Sequence, residues 1–99
     1  MQELFDLREE PCVSDEVDRA HKVWEKAEDA WEFLKWVVVR DPTIGRALNE
    51  KGDLRSIIWV GAKSTNLPDI TLIYRKSDPI IELMDVQFTE PKYAQAGRA

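Results

Sequence analysis

The apolar residues Val17, Ala20, Trp24, Ala27, Trp31, Leu34 and Val38 recur at alternating three- and four-residue spacings. That period places all seven on one stripe of an α-helix, and such a stripe must be buried against another element. Between them Arg19, Lys22, Glu25, Lys26, Glu28, Asp29, Glu32 and Lys35 make a solvated face. Val23, Ala30, Phe33, Trp36 and Val37 widen the stripe toward its C-terminal end, so that half is expected to be buried on more than one side and to cover a sheet. Ser14 is the expected N-cap, followed by Asp15, Glu16 and Asp18 at the positive end of the helix dipole. Asp41-Pro42 closes the segment, because a residue before proline disfavours the α region. The spacing therefore predicts one continuous long helix. A short second helix, Thr43 to Asn49, is expected to start after Pro42, although Gly45 inside it is a poor helix former.

Past the expected turn at Lys51-Gly52-Asp53 the period falls to two. Arg55-Ser56-Ile57-Ile58-Trp59-Val60 reads as a strand, Gly61 to Pro68 as a polar loop, and Ile70-Thr71-Leu72-Ile73-Tyr74-Arg75 as a strand with two unequal faces. Lys76-Ser77-Asp78-Pro79 supplies turn chemistry for a hairpin. In the third strand, Ile80 to Phe88, the apolar set shifts from Ile81/Leu83 to Met84/Val86/Phe88, which predicts a bulge near Leu83. Pro91 ends it. Glu3-Leu4-Phe5-Asp6-Leu7 is a candidate edge strand in front of the helix. The expected fold is α+β: an N-terminal helical segment of one long and one short helix, packed on a three- to four-stranded antiparallel sheet. Ninety-nine residues suit a single domain. Its expected parts are an edge strand and loop over 1–13, helices over 14–50, the sheet over 54–88 and a loose tail over 89–99.

Composition closes several routes to function. One cysteine, Cys12, permits no internal disulfide, and one thiol with one histidine, His21, cannot build a zinc site. No metal or cofactor is expected. No apolar run is long enough to span a membrane, and the N-terminal residues lack the pattern of a signal peptide, so a cytoplasmic address is expected. The net charge is −5. Residues 1–50 carry seven Lys/Arg against thirteen Asp/Glu, while residues 51–99 carry seven against six. A nucleic-acid surface has to neutralise phosphate with Lys and Arg, so the N-terminal half is excluded as one and direct nucleic-acid binding is not favoured.

Several short segments in this order are familiar. Ala30-Trp31-Glu32-Phe33-Leu34-Lys35-Trp36, followed by Arg40-Asp41-Pro42-Thr43-Ile44-Gly45, resembles the helix and P-x-x-G junction of the RelE/ParE toxin superfamily. Gly52-Asp53-Leu54-Arg55 is similar to its G-x-x-R passage into the sheet, and Pro68 to Arg75 to its R-x-x-Y central strand. Ile80 to Val86, with Tyr93 after it, is similar to the last strand and its trailing aromatic. The resemblance spans residues 16 to 93 and implies a RelE/ParE-like fold. It also implies the toxin half of a bacterial type II toxin–antitoxin pair, of the kind linked to plasmid stabilisation. The RelE-like branch cleaves messenger RNA on the ribosome, the ParE-like branch poisons DNA gyrase, and both are neutralised by an antitoxin that wraps the toxin with a helix and an extended segment.

Cleavage through a 2′-hydroxyl needs a base, an acid and positive charge for the phosphorane. Under the nuclease reading the catalytic candidates are Arg55, Arg75, Lys92 and Tyr93, with Lys63 a further basic residue. Two departures weigh against that reading. Thr71 stands where the resemblance implies arginine, and Phe88-Thr89-Glu90 stands where it implies a basic pair. His21 belongs to the helix surface, away from the sheet. The residues therefore favour a binder over an endoribonuclease. Four tryptophans are many for this length, and Trp is over-represented at protein interfaces. Trp24, beside the acidic helix start, is the one expected to be exposed; it and Lys63 are the candidate partner contacts. Two alternatives stay open beside the antitoxin-binding, gyrase-directed reading. One is the ribosome-dependent nuclease. The other is a non-catalytic homodimer formed through the long helix, whose Trp24, Trp31 and Val38 are spaced by sevens.

Overall fold

The computed structural model describes residues 6–91, apart from the side chain of Lys63. The chain runs β1 (Asp6–Glu9), α1 (Pro11–Val23), α2 (Ala27–Arg40), β2 (Arg46–Ala47), β3 (Leu54–Trp59), a 3-10 turn at Lys63–Thr65, β4 (Asp69–Ser77) and β5 (Ile80–Thr89). The five strands form one mixed sheet in the order β1-β5-β4-β3-β2. β1 lies parallel to β5, and the other neighbours are antiparallel. The α+β class and the leading strand match expectation, while the strand number exceeds it by one and the parallel β1–β5 pair makes the sheet mixed where an antiparallel one was expected. Residues 3–5 of the expected first strand lie outside the described residues.

The stripe did place the core. Ala20, Trp24, Ala27, Trp31, Leu34 and Val38 are buried, with Val17 packed against them. They meet Ile70, Leu72 and Tyr74 of β4 and Ile81, Leu83, Val86 and Phe88 of β5. Trp31 meets the Phe88 ring edge-on at 6.1 Å. The stripe is nonetheless two helices, broken at residues 24–26. Trp24 leaves the helical region with φ −120° and ψ 119°. An unbroken helix over this span would be about 40 Å long, against about 30 Å for the longest strand, so its end would pass beyond the sheet. Breaking it folds both halves onto one sheet face. Charge marks the break: His21 and Lys22 close α1, and Glu28 and Asp29 open α2, each suited to the local dipole.

Helix α1 begins at Pro11, in the first-turn position that proline favours, with Glu10 as its cap residue. Ser14 is therefore inside the helix, and its hydroxyl donates to Glu9 Oε1 at 2.8 Å. The predicted helix over 43–49 is absent. Its place is taken by turns and β2, because tertiary partners use the backbone groups a helix would have needed. Tyr74 Oη donates to Pro42 O at 2.7 Å and accepts from Gly45 N at 3.1 Å, while Arg55 donates to the carbonyls of Thr43 and Gly45. A Cβ on Gly45 would stand 2.8 Å from Tyr74 Oη and 2.9 Å from Ser56 O.

The bulge is where the pattern shift indicated. Ile73 pairs with Asp85 but Tyr74 pairs with Leu83, which leaves Met84 as the extra residue. That residue lets Leu83 and Val86, three positions apart, face the same core. The widening of the helix stripe, by contrast, is overturned at three of its positions. Val23 is 51%, Phe33 48% and Trp36 55% exposed, and of these Phe33 still touches the sheet, through Trp59 of β3.

Candidate functional site: the free edge of β5

β1 covers β5 only from Ile80 to Leu83. Beyond the Met84 bulge, residues 85–89 form an outer edge with no strand beside them among the described residues. Helix α1 flanks this edge and leaves a groove of about 460 Å³ between them, lined by Cys12, Glu16, Arg19 and residues 85–89.

The groove floor is backbone. The Phe88 N–H donates to Glu16 Oε2 at 3.3 Å, and the Phe88 carbonyl accepts from Arg19 at 3.1 Å. The two side chains are themselves clasped, Arg19 Nε to Glu16 Oε1 at 2.9 Å and the guanidinium to Oε2 at 2.6 Å. Together they stand in for one residue of a missing strand, accepting and donating where a ladder partner would. Strand alternation turns the Val86 N–H and C=O toward the same edge, and no side chain of the described residues caps them. The Arg19 hydrogen bond, helped by the Phe88 amide and opposed by burial, holds the Glu16 carboxyl below the usual carboxylate range. The clasp is therefore a charged pair at neutral pH.

The two nuclease candidates among the described residues, Arg55 and Arg75, do not converge. Arg55 is a structural clamp: Nε donates to Gly52 O at 2.8 Å, and another guanidinium nitrogen donates to Thr43 O at 3.1 Å and Gly45 O at 2.7 Å. Its charge is thereby turned into the turn that precedes β2. Arg75 points to the opposite, open face of the sheet, with Nε 3.7 Å from Asp53 Oδ2 and Glu82 directly across the ladder. Lys92, Tyr93 and the side chain of Lys63 lie outside the described residues. On the open face Arg8, Arg46 and Arg75 are interleaved with Asp6, Glu82 and Asp85, so no basic cluster forms there among the described residues. His21 is exposed on α1, 4.0 Å from Glu28.

No known protein family, curated protein or solved structure matches this chain.

Five residues from the segments singled out in the sequence share one place. Pro42, Gly45, Gly52, Arg55 and Tyr74, drawn from three separate segments, are joined by the hydrogen bonds of the Arg55 and Tyr74 side chains. Gly52 has φ +79°, a conformation that favours glycine, and so lets its carbonyl reach Arg55. Burial raises the Tyr74 phenol above its ordinary value, opposed by the Gly45 amide. These five residues anchor the junction between α2 and the sheet.

The partner candidates also change. Trp24, expected to be exposed, is 5% exposed and part of the core. The break in the helix turns it inward, and Trp36 is the tryptophan left in solvent. The β5 edge escaped the sequence reading because strand order, not residue type, creates it. Only the bulge hinted at it. Among the described residues no three His, Cys, Asp or Glu side chains group as a metal site, and no helix is long and apolar enough to cross a membrane.

Proposed function

We propose that this chain is the toxin-like component of a bacterial type II toxin–antitoxin pair of RelE/ParE character, acting by protein binding and not by RNA cleavage. The free β5 edge carries the reading. An extended antitoxin segment adds a strand along residues 85–89, replacing the Glu16–Arg19 clasp at Phe88 and pairing the Val86 amide and carbonyl. The joining of the P-x-x-G, G-x-x-R and central-strand residues into one hydrogen-bonded junction supports the family assignment, since motifs that are weak alone then have one physical purpose. The commitment of Arg55 to three carbonyls and the mixed charge of the open face favour the gyrase-directed branch over the endoribonuclease. The cellular address is the cytoplasm, where gyrase and a co-encoded antitoxin are met.

The test is induced expression in a bacterial host, with and without the product of the adjacent gene. Growth arrest with intact transcripts, inhibited supercoiling by purified gyrase, and relief by the neighbouring protein are expected. In the purified complex, amide exchange at Val86 should slow relative to the free chain. Site-specific transcript cleavage that is lost in Arg75→Ala would replace this reading with the nuclease. Slowed exchange confined to other strands would remove the β5 edge from it.

A further inference from the structure

The outer face of α2 carries a second surface, separate from the groove beside β5. Asp29, Phe33, Trp36 and Arg40 follow one another at spacings of four, three and four, which sets them in a line along the helix. Phe33 and Trp36 stack at 6.1 Å with their planes 27° apart. Phe33 is braced from behind by Trp59 of β3, edge-on at 5.1 Å, so the pair is held in place while both rings stay half exposed. The Arg40 guanidinium sits 4.7 Å from the centre of the Trp36 ring. Asp29, at the other end, has no ion-pair partner among the described residues. Large stacked aromatics in solvent mark a contact surface.

The arrangement of this line specifies what fits it. Asp29 and Arg40 lie equally far on either side of the midpoint between Leu34 and Lys35, and so do Phe33 and Trp36. The line is thus its own complement when reversed. We infer that it binds a second copy of this chain, with the two α2 helices antiparallel across a two-fold axis. Phe33 of each copy then packs on Trp36 of the other, and Arg40 of each, one turn further on, meets Asp29 of the other. A parallel arrangement would instead oppose aspartate to aspartate and arginine to arginine. The antiparallel one also opposes the helix dipoles favourably. The β5 edge remains outside this interface, so the dimer and the proposed antitoxin complex stand or fall separately.

Sedimentation of the full chain over a range of concentrations tests the inference. A reversible dimer is expected. Trp36→Glu, on an exposed position that leaves the circular dichroism unchanged, should weaken it about tenfold or more, as loss of a central aromatic anchor does. Asp29→Arg and Arg40→Asp should each weaken the dimer, and the double variant carrying both should recover most of the loss. That recovery is expected only if these two residues face each other across the interface. A chain that stays monomeric at every concentration overturns the inference, as does a dimer indifferent to Trp36→Glu or a double variant no better than the single ones. Loss of antitoxin binding in Trp36→Glu with a monomeric parent would give the stripe to the antitoxin instead.

Discussion

Tyr74 shows how one side chain decides a segment. Its hydroxyl serves a buried carbonyl at Pro42 and a buried amide at Gly45, and those two bonds hold residues 42–45 away from the helix their sequence suggests. Tyr74→Phe keeps the ring and strands both backbone groups. A loss of about 1–3 kcal/mol is expected, read as a lower denaturant midpoint with unchanged slope. The same side chain adds a pH dependence of definite sign. Burial raises its folded pKa above the unfolded one, so its contribution is complete below about pH 10 and is lost as pH rises through the folded value. The alkaline fall in stability should therefore be shallower in the Phe variant, with melting temperature against pH as the measurement. Arg55 teaches a related lesson. Its position after a glycine turn was legible in the sequence as a family-like motif, yet its role was not. Whether a guanidinium faces phosphate or three carbonyls depends on what the turn at 42–45 brings to it.

At the scale of elements, periodicity identified faces better than it identified boundaries. Val17 to Val38 is one stripe, and the residues it named do form the helical side of the core, but no glycine or proline marks the break at 24–26. The break follows from the length of the sheet, which a local pattern does not contain. Strand β5 is the opposite case. Its pattern carried the bulge, because two inward pairs, Ile81/Leu83 and Val86/Phe88, cannot share a face without an extra residue. Deleting Met84 restores plain alternation and keeps all four side chains inward, whereas deleting Gln87 turns Phe88 to the open face. The Met84 deletion is expected to remain folded. The Gln87 deletion should lose at least the burial of a phenylalanine, about 1.5–3 kcal/mol. Urea unfolding of the two deletions side by side checks this, and equal losses would mean that the bulge has a role beyond register.

For the whole molecule, the distribution of charge matters more than its sum. The open sheet face alternates Arg8, Arg46 and Arg75 with Asp6, Glu82 and Asp85, so its field is short-ranged and largely self-cancelling. A fluorescent single-stranded RNA is accordingly expected to show no saturable binding at micromolar protein and near-physiological salt. Affinity that falls steeply with salt, the signature of released counterions, would contradict the reading. The sequence by itself determined the α+β class, most of the inward residues of α1 and α2 and those of β4 and β5, the hairpin and bulge, and the lack of a disulfide framework. All of these follow from the period and type of neighbouring residues. Only the tertiary structure decided that the stripe breaks, that β1 stops short of the end of β5, that Trp24 is core and Trp36 surface, and that Arg55 is spent on backbone. Each depends on which distant segments lie side by side, and a pairing between distant segments leaves no period in the chain to be read.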